Sequence, residues 1–192
     1  AALARARAAS GWTRLAFEPA ARRLRQPGGL ALDLSGIAKG HAVDVVASLL
    51  QAMGIVHALV EIGGELVGRG VRPDGEPWWV DLEAPPAGDL AQFRIALHGL
   101  AVATSGDAWR GAHTIDPRTA RPVGNGVVSA SVIHESAMLA DAWATALTVL
   151  GPVDGIAAAT AARIAGRIVT IEGNVTREYL TPPLRAMLAD EV

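Results

Sequence analysis

Residues 33–44 read DLSGIAKGHAVD. The apolar lead-in Leu30-Ala31-Leu32 predicts a short strand over 30–34. Helical periodicity begins at once: Ala42, Val45, Val46, Leu49, Leu50 and Met53 recur on one face and predict a helix over 36–53, which Gly54 stops. Gly36 and Gly40 therefore fall in the first turns of a helix, where each costs about 1 kcal/mol relative to alanine. A bare backbone at such a junction serves either a closely packed second element or a ligand. The free N–H groups and partial positive charge of a helix start, Ser35 as a cap and the full charge of Lys39 together describe a site for a phosphorylated ligand. Helix packing through Gly36 and Gly40 accounts for the same residues, and both readings can hold together.

A second helix is expected over 136–150, with Met138, Leu139, Ala142, Trp143, Ala146, Leu147 and Leu150 apolar. Gly151-Pro152 ends it, and Pro152 suits the first position of another helix over 152–162. Asp141 and Thr145 lie four residues apart and share a face among apolar neighbours. An unpaired buried carboxylate is very costly, so Asp141 needs a partner. Carboxylate plus hydroxyl is an all-oxygen pair, as hard cations such as Mg²⁺ or Ca²⁺ prefer. An arginine partner or a loop cap satisfies Asp141 equally well.

Strand patterns fill the rest. Strands are expected over 12–18 and 57–62, as a pair 66–71 and 77–83 around Arg72-Pro73-Asp74-Gly75, and as a hairpin 92–97 with 100–104 around His98-Gly99. A further strand covers 127–133, and a hairpin joins 167–172 to 175–180 around Gly173-Asn174. The start AALARARAAS reads as an Ala/Arg helix, and Thr181-Pro182-Pro183 leads into a short amphipathic tail. Helices mixed with hairpins make the class α+β.

The loops hold the remaining polar groups. Residues 105–126 are irregular, and long irregular stretches in compact domains tend to be functional. Within them His113-Thr114-Ile115-Asp116-Pro117-Arg118-Thr119 offers a turn former in Asp116 and a candidate general base in His113. Thr104-Ser105-Gly106-Asp107 follows an apolar strand and is either an oxyanion-binding turn or an ordinary one. Ile62-Gly63-Gly64-Glu65 is a strand running into a tight turn.

Several functions are excluded or unsupported. The 192 residues carry 17 basic and 19 acidic side chains, a formal net charge of −2, which gives no case for nucleic acid. Cysteine is absent, which removes disulfides, thiolate chemistry and cysteine-based zinc sites. No GxGxxG or GxxxxGK[ST] fingerprint is present. No apolar run long enough to cross a bilayer and no signal peptide is expected.

The collinear order is more specific than any one motif. DLSGIAKG at a helix start, IGGE, ATSGD, HTIDPRTARP and ADAWATAL ending in LG follow one another from Leu30 to Gly151. This series resembles the FAD:protein FMN transferases, the ApbE family. The resemblance implies an ApbE-like, T-fold-related mixed sheet with packed helices. It implies FAD as substrate, Mg²⁺ as metal, and transfer of FMN to a threonine or serine hydroxyl of an acceptor protein with release of AMP. Metal ligands then fall on the Ala38 carbonyl and the side chains of Asp141 and Thr145. FAD contacts fall on Ser35, Lys39, His41 and Ile115, with Gly63, Gly64, Thr104 and Ser105 along the same cleft. His113 becomes the base for the acceptor hydroxyl, and Gly40→Val is expected to impair FAD binding more than folding. Hydrolysis of FAD to FMN and AMP, or flavin binding without catalysis, are the alternatives the resemblance leaves open.

Departures from the family pattern are specific. Position 41 is His rather than an aromatic, Ala108-Trp109-Arg110 follows TSGD where a tyrosine is usual, position 65 is Glu rather than Asp or Asn, and Ala120 takes the place of a glycine. Only about thirty residues precede DLSGIAKG. The expectation is thus one ApbE-like domain over 1–192 without much of the family's N-terminal segment. Family analogy places such a protein on the extracytoplasmic face of the bacterial inner membrane.

Overall fold

A computed structural model of the chain describes residues 1–82, 90, 92–106 and 113–189. It opens with α1 (Ala2–Ala9), an exposed pair β1 (Ala16–Glu18) and β2 (Arg23–Arg25), and α2 (Ala38–Ala52). Next come β3 (Ala58–Ile62), β4 (Glu65–Arg69), β5 (Trp78–Leu82), β6 (Phe93–Leu97) and β7 (Ala101–Ser105). The short strands β8 (Ile115–Asp116) and β9 (Arg121–Pro122) precede β10 (Val127–His134), α3 (Ala137–Ala161), β11 (Ala165–Glu172), β12 (Val175–Leu180) and α4 (Pro182–Ala189).

The centre is a six-stranded sheet in the order β12-β11-β10-β7-β4-β3, with every neighbour antiparallel. Successive residues of a strand point to opposite faces, and here both faces are covered. Ala103, Ala130 and Val132 pack with Ala140, Ala144 and Leu147 of α3. Val102, Ile133 and Ala165 face the other way, onto Leu82, Ile95 and Leu97 of the β5–β6 pair and Leu184 of α4. Val60, Val67 and Ala101 meet Val43 and Ala47 of α2. The expected α+β class therefore holds.

Several expected pairings do not form. β4 pairs with β3 and β7, not with the strand after Arg72-Pro73-Asp74-Gly75. β5 pairs with β6, and β7 with β10, so no hairpin turns at His98-Gly99. β4 and β7 thus pair with each other and with β3 and β10, while β5 and β6 form a separate two-stranded sheet. Residues 12–14 form a 3-10 turn, which leaves only 16–18 of the expected first strand. Residues 30–34 have no strand partner among the described residues, and Ala31 N instead donates to the Ala9 carbonyl at 2.8 Å.

The buried faces of both long helices also differ from expectation. α2 buries Gly40, Val43 and Ala47, while Val45, Val46, Leu49 and Met53 are exposed. α3 buries Ala137, Ala140, Ala144, Leu147 and Thr148 rather than Met138 or Leu139. Small side chains win because they let helix backbone approach sheet and helix closely. α3 is broken at Gly151 (φ 79°, ψ −177°), as Gly151-Pro152 predicts. Its 25 residues are apolar enough by composition to cross a membrane, contrary to the sequence reading, yet its alanine face lies on the sheet.

The tightest approach is between α2 and α3. A Cβ built on Gly40 lies 2.2 Å from the Ala137 carbonyl oxygen, a backbone atom that cannot swing away. This overturns the expectation for Gly40→Val, because any side chain at position 40 forces the helices apart before a ligand is involved. Gly40→Ala is predicted to lower unfolding free energy by about 1–3 kcal/mol, the usual range for overpacking. Gly124→Ala, with nothing within 4 Å of its Cβ, is predicted to stay within about 0.5 kcal/mol. Urea denaturation of the two variants checks both values.

Candidate functional site

A cavity of about 1220 Å³ opens where the start of α2, the β3–β4 turn, the end of β7, the β8 segment and the middle of α3 converge. α2 and the segment before it supply Ser35, Ala38 and Lys39; the β3–β4 turn supplies Gly63 and Gly64. Thr104 and Ser105 come from β7, His113 and Ile115 from the β8 segment, and Asp141 and Thr145 from α3. His41 is the exception: it stands exposed on α2 and does not line the cavity. Asp107 and Trp109 lie outside the described residues.

The α2–α3 crossing forms the floor. Gly40 N donates to Asp141 Oδ2 at 3.0 Å, a buried bond, so the partner required by Asp141 is a backbone amide rather than an arginine. A Cβ on Gly36 would sit 3.2 Å from Thr145 Oγ1. The two glycines of DLSGIAKG thus face the two polar residues of ADAWATAL. Ser35 does not cap the helix: its N-terminal boundary is Ile37, with no side-chain cap. Ile37 N and Ala38 N both donate to the Leu34 carbonyl, a turn that delays the helix past Ser35. Ser35 N instead donates to Asp33 Oδ1 at 2.9 Å, and this bond holds the Asp33 carboxyl below its usual range.

Lys39 is committed on one side. Its Nζ donates to Glu65 Oε1 at 2.5 Å and lies 3.4 Å from the Gly63 carbonyl. Gly63 (φ 62°) and Gly64 (φ 98°) form the two-residue turn that makes this possible, with Ile62 opposite Glu65. Glu65 is 1% exposed and its Oε2 has no hydrogen-bond partner among the described residues. Burial pushes the Glu65 carboxyl up, Lys39 pulls it partly back, and the charge of Asp141 pushes it further up. An ammonium has three donors, so Lys39 keeps capacity for a ligand.

The HTIDPRTA segment is a turn built on Asp116. Its carboxylate accepts from Arg118 N (2.8 Å), Nε (2.9 Å) and Nη2 (2.9 Å). The Arg118 guanidinium holds the Asp116 carboxyl below its usual range. Asp116 is thus the turn former expected of it. Ala120 sits at φ 56°, a left-handed conformation that strains a residue with a Cβ, which accounts for glycine being usual there. Thr114 is buried, while His113 stands exposed at the cavity edge. Thr104 Oγ1 shares a hydrogen bond with Ser131 Oγ at 2.9 Å across the β7–β10 pair.

Among the described residues no three His, Cys, Asp or Glu side chains group as a metal site. A cation here would rest on mixed oxygens: the Asp141 carboxylate, the Thr145 hydroxyl and the Ala38 carbonyl. That set suits a hard divalent ion. A carbonyl has two lone pairs, so membership of α2 does not exhaust Ala38. The charge of the cavity fits as well. Among the described residues Asp33, Glu61, Glu65, Asp81 and Asp141 line it with Lys39. Lys39 pairs with Glu65 and Arg94 with Asp81, which leaves Asp33, Glu61 and Asp141 without a cationic side-chain partner among those residues, a setting in which a cation would favour an anionic ligand. Asp33 and Glu65 escaped the sequence reading as site residues, although each flanks a glycine motif that was singled out.

Fold and cavity define an α+β protein with a polar cleft walled by Asp141, Thr145, Lys39 and a glycine turn. The chain belongs to the ApbE family, whose sequence model matches residues 1–168. It is 40% identical over 169 residues to the FAD:protein FMN transferase of Vibrio cholerae, covering 83% of this chain and 51% of that protein. It is 35% identical over 171 residues to the Escherichia coli K12 protein of the same name, covering 84% and 49%. The solved Pseudomonas stutzeri flavinyl transferase ApbE superposes with a TM-score of 0.85 at 38% identity, covering 96% of this chain and 58% of that one. The chain thus spans about half the length of the curated relatives it matches.

Two outcomes follow from the site's own energetics. An acid whose pKa is raised on folding binds its proton more readily when native, so its contribution is greatest at low pH and is lost as pH rises through the raised value. Wild type is therefore predicted to lose stability relative to Glu65→Gln as pH climbs out of the ordinary glutamate range. Denaturation at a series of pH values measures this, and a pH-independent difference would contradict the burial argument. Ala120→Gly relieves a left-handed alanine and is predicted to raise unfolding free energy by up to about 1 kcal/mol, as read by thermal melting.

Proposed function

We propose that this cleft binds FAD with a divalent cation, cleaves its pyrophosphate and moves FMN to a threonine or serine hydroxyl of an acceptor protein, releasing AMP. The observation that carries the reading is that Ala38, Asp141 and Thr145 line one cavity where α2 crosses α3, beside Lys39 and several carboxylates. FAD is anionic at its pyrophosphate, and such a cavity repels it unless a cation intervenes. The relatives' names supply the reaction class.

Ala38, Asp141 and Thr145 would hold Mg²⁺, which when bound neutralises phosphate oxygens and the charge of the departing AMP. The remaining work belongs to the chain's own residues. Gly40 N fixes one Asp141 oxygen, Oδ2, and Oδ1 would serve the cation. Lys39, anchored by Glu65, directs positive charge at the pyrophosphate. Gly36, Gly63 and Gly64 keep side chains out of its path, and Ile115, half exposed at the edge, offers an apolar surface to the flavin. His113 at the same edge accepts the proton of the acceptor hydroxyl as that oxygen attacks phosphorus and the bond to AMP breaks. Positioning and charge do most of the work in such a transfer.

The test is incubation with FAD and Mg²⁺ in the presence of Thr/Ser acceptor peptides, followed by mass spectrometry. AMP and flavinylated peptide are expected. Free FMN with AMP would assign the site to hydrolysis instead, and no AMP would contradict both. Asp141→Asn is expected to bring AMP release to background. His113→Gln is expected to slow transfer by roughly 10²–10⁴-fold, the range for a lost general base, while FAD binding changes little.

A further inference from the structure

One carboxylate outside the cavity is used in a way the proposed chemistry does not require. Asp44 lies on α2, yet all three hydrogen bonds it accepts come from the start of α3. Ser136 Oγ donates to its Oδ2 at 2.7 Å, Ala137 N to its Oδ1 at 2.9 Å and Met138 N to its Oδ2 at 3.0 Å. Ser136 is the N-cap of α3, and its hydroxyl also accepts from Leu139 N at 3.3 Å. The first four N–H groups of a helix lack partners within it, and its N-terminus carries partial positive charge. Asp44 answers both needs from the neighbouring helix.

The arrangement is reciprocal. Asp44 of α2 holds the start of α3, and Asp141 of α3 accepts from Gly40 N near the start of α2. The contact of Gly40 with the Ala137 carbonyl shares a residue with each clasp, since Gly40 N donates in one and Ala137 N in the other. A pair of helices touching at one point can still slide or rotate about it. Two sets of hydrogen bonds, spread over residues 40–44 of α2 and 136–141 of α3, oppose both motions.

The proposed cation ligands are divided across this joint, with Ala38 on α2 and Asp141 and Thr145 on α3. We propose that Asp44 is a positioning residue that fixes the spacing of these ligands through the start of α3. The inference rests on the cation reading above. A slip of about 1 Å between the helices would misplace the ligand oxygens enough to cost about 10²-fold in rate.

The experiment uses Asp44→Asn, Asp44→Ala and a control, Leu184→Ala, whose side chain is buried on the opposite face of the sheet. Mn²⁺ binding is followed by electron paramagnetic resonance, and amide hydrogen exchange at Gly40 is followed in metal-free protein. Asp44→Asn keeps the shape but not the charge or the full set of acceptors, and it serves if Asp44→Ala does not fold. The expected result is Mn²⁺ affinity at least tenfold weaker in the Asp44 variants, with faster exchange at Gly40, although the Gly40 acceptor is untouched. Leu184→Ala should leave both unchanged despite its own loss of stability. Wild-type affinity and Gly40 protection in Asp44→Asn overturn the positioning role alone, as does an equal loss in Leu184→Ala. Failure of the wild type to bind Mn²⁺ overturns the cation reading and this inference with it.

Discussion

The hydrogen bond from Gly40 N to Asp141 is the joint on which the site depends. It is possible only because position 40 has no side chain: the helices meet where a Cβ would stand 2.2 Å from a carbonyl oxygen. That approach lets a buried carboxylate find a backbone donor across the interface, which satisfies part of a charge that burial would otherwise penalise heavily. It also sets Ala38, at the start of one helix, in the wall of the same cavity as Asp141 and Thr145 on the other. The two glycines of DLSGIAKG are therefore costly in helix propensity and necessary in packing.

The sheet makes the crossing rigid. β7 and β10 are buried on both faces, by α3 on one side and by the β5–β6 pair with α4 on the other. α2 lies over β3, β4 and β7 at the end of the same sheet. The two helices are thus referred to one platform, and the β3–β4 turn carries Glu65 to Lys39 from that platform. Charge then follows shape. On the proposed reading, the carboxylates of the cavity wall would repel a lone phosphate, and a divalent ion held there would attract it.

What was legible in the sequence was local. The break at Gly151-Pro152, the β11–β12 hairpin, the Asp116 turn and the glycine turn at 63–64 each rest on residues a few positions apart, and each stands in the structure. What was not legible depends on choices between distant partners. β4 takes β7 rather than β5 as its second partner, and Lys39 finds Glu65 twenty-six positions away. The face of α2 was misread for a physical reason. Summed hydrophobicity favours Val45, Val46, Leu49 and Met53, but the close approach at Gly40 fixes which face turns inward, and Val43 and Ala47 fall on that face. The motifs whose residues line the cavity were legible because their order along the chain does not depend on how the strands pair. His41 departs from the expected set: on α2 it falls on the exposed side, away from the cavity. Ser35 lines the cavity but leaves the capping role to no side chain.

The central claim is that the α2–α3 crossing makes a cation cradle without which FAD is repelled. Titration calorimetry with FAD, in the presence and absence of Mg²⁺, tests it most directly. Saturable FAD binding that requires Mg²⁺ and disappears in Asp141→Asn is the predicted result. FAD binding of equal affinity with and without Mg²⁺ would contradict it.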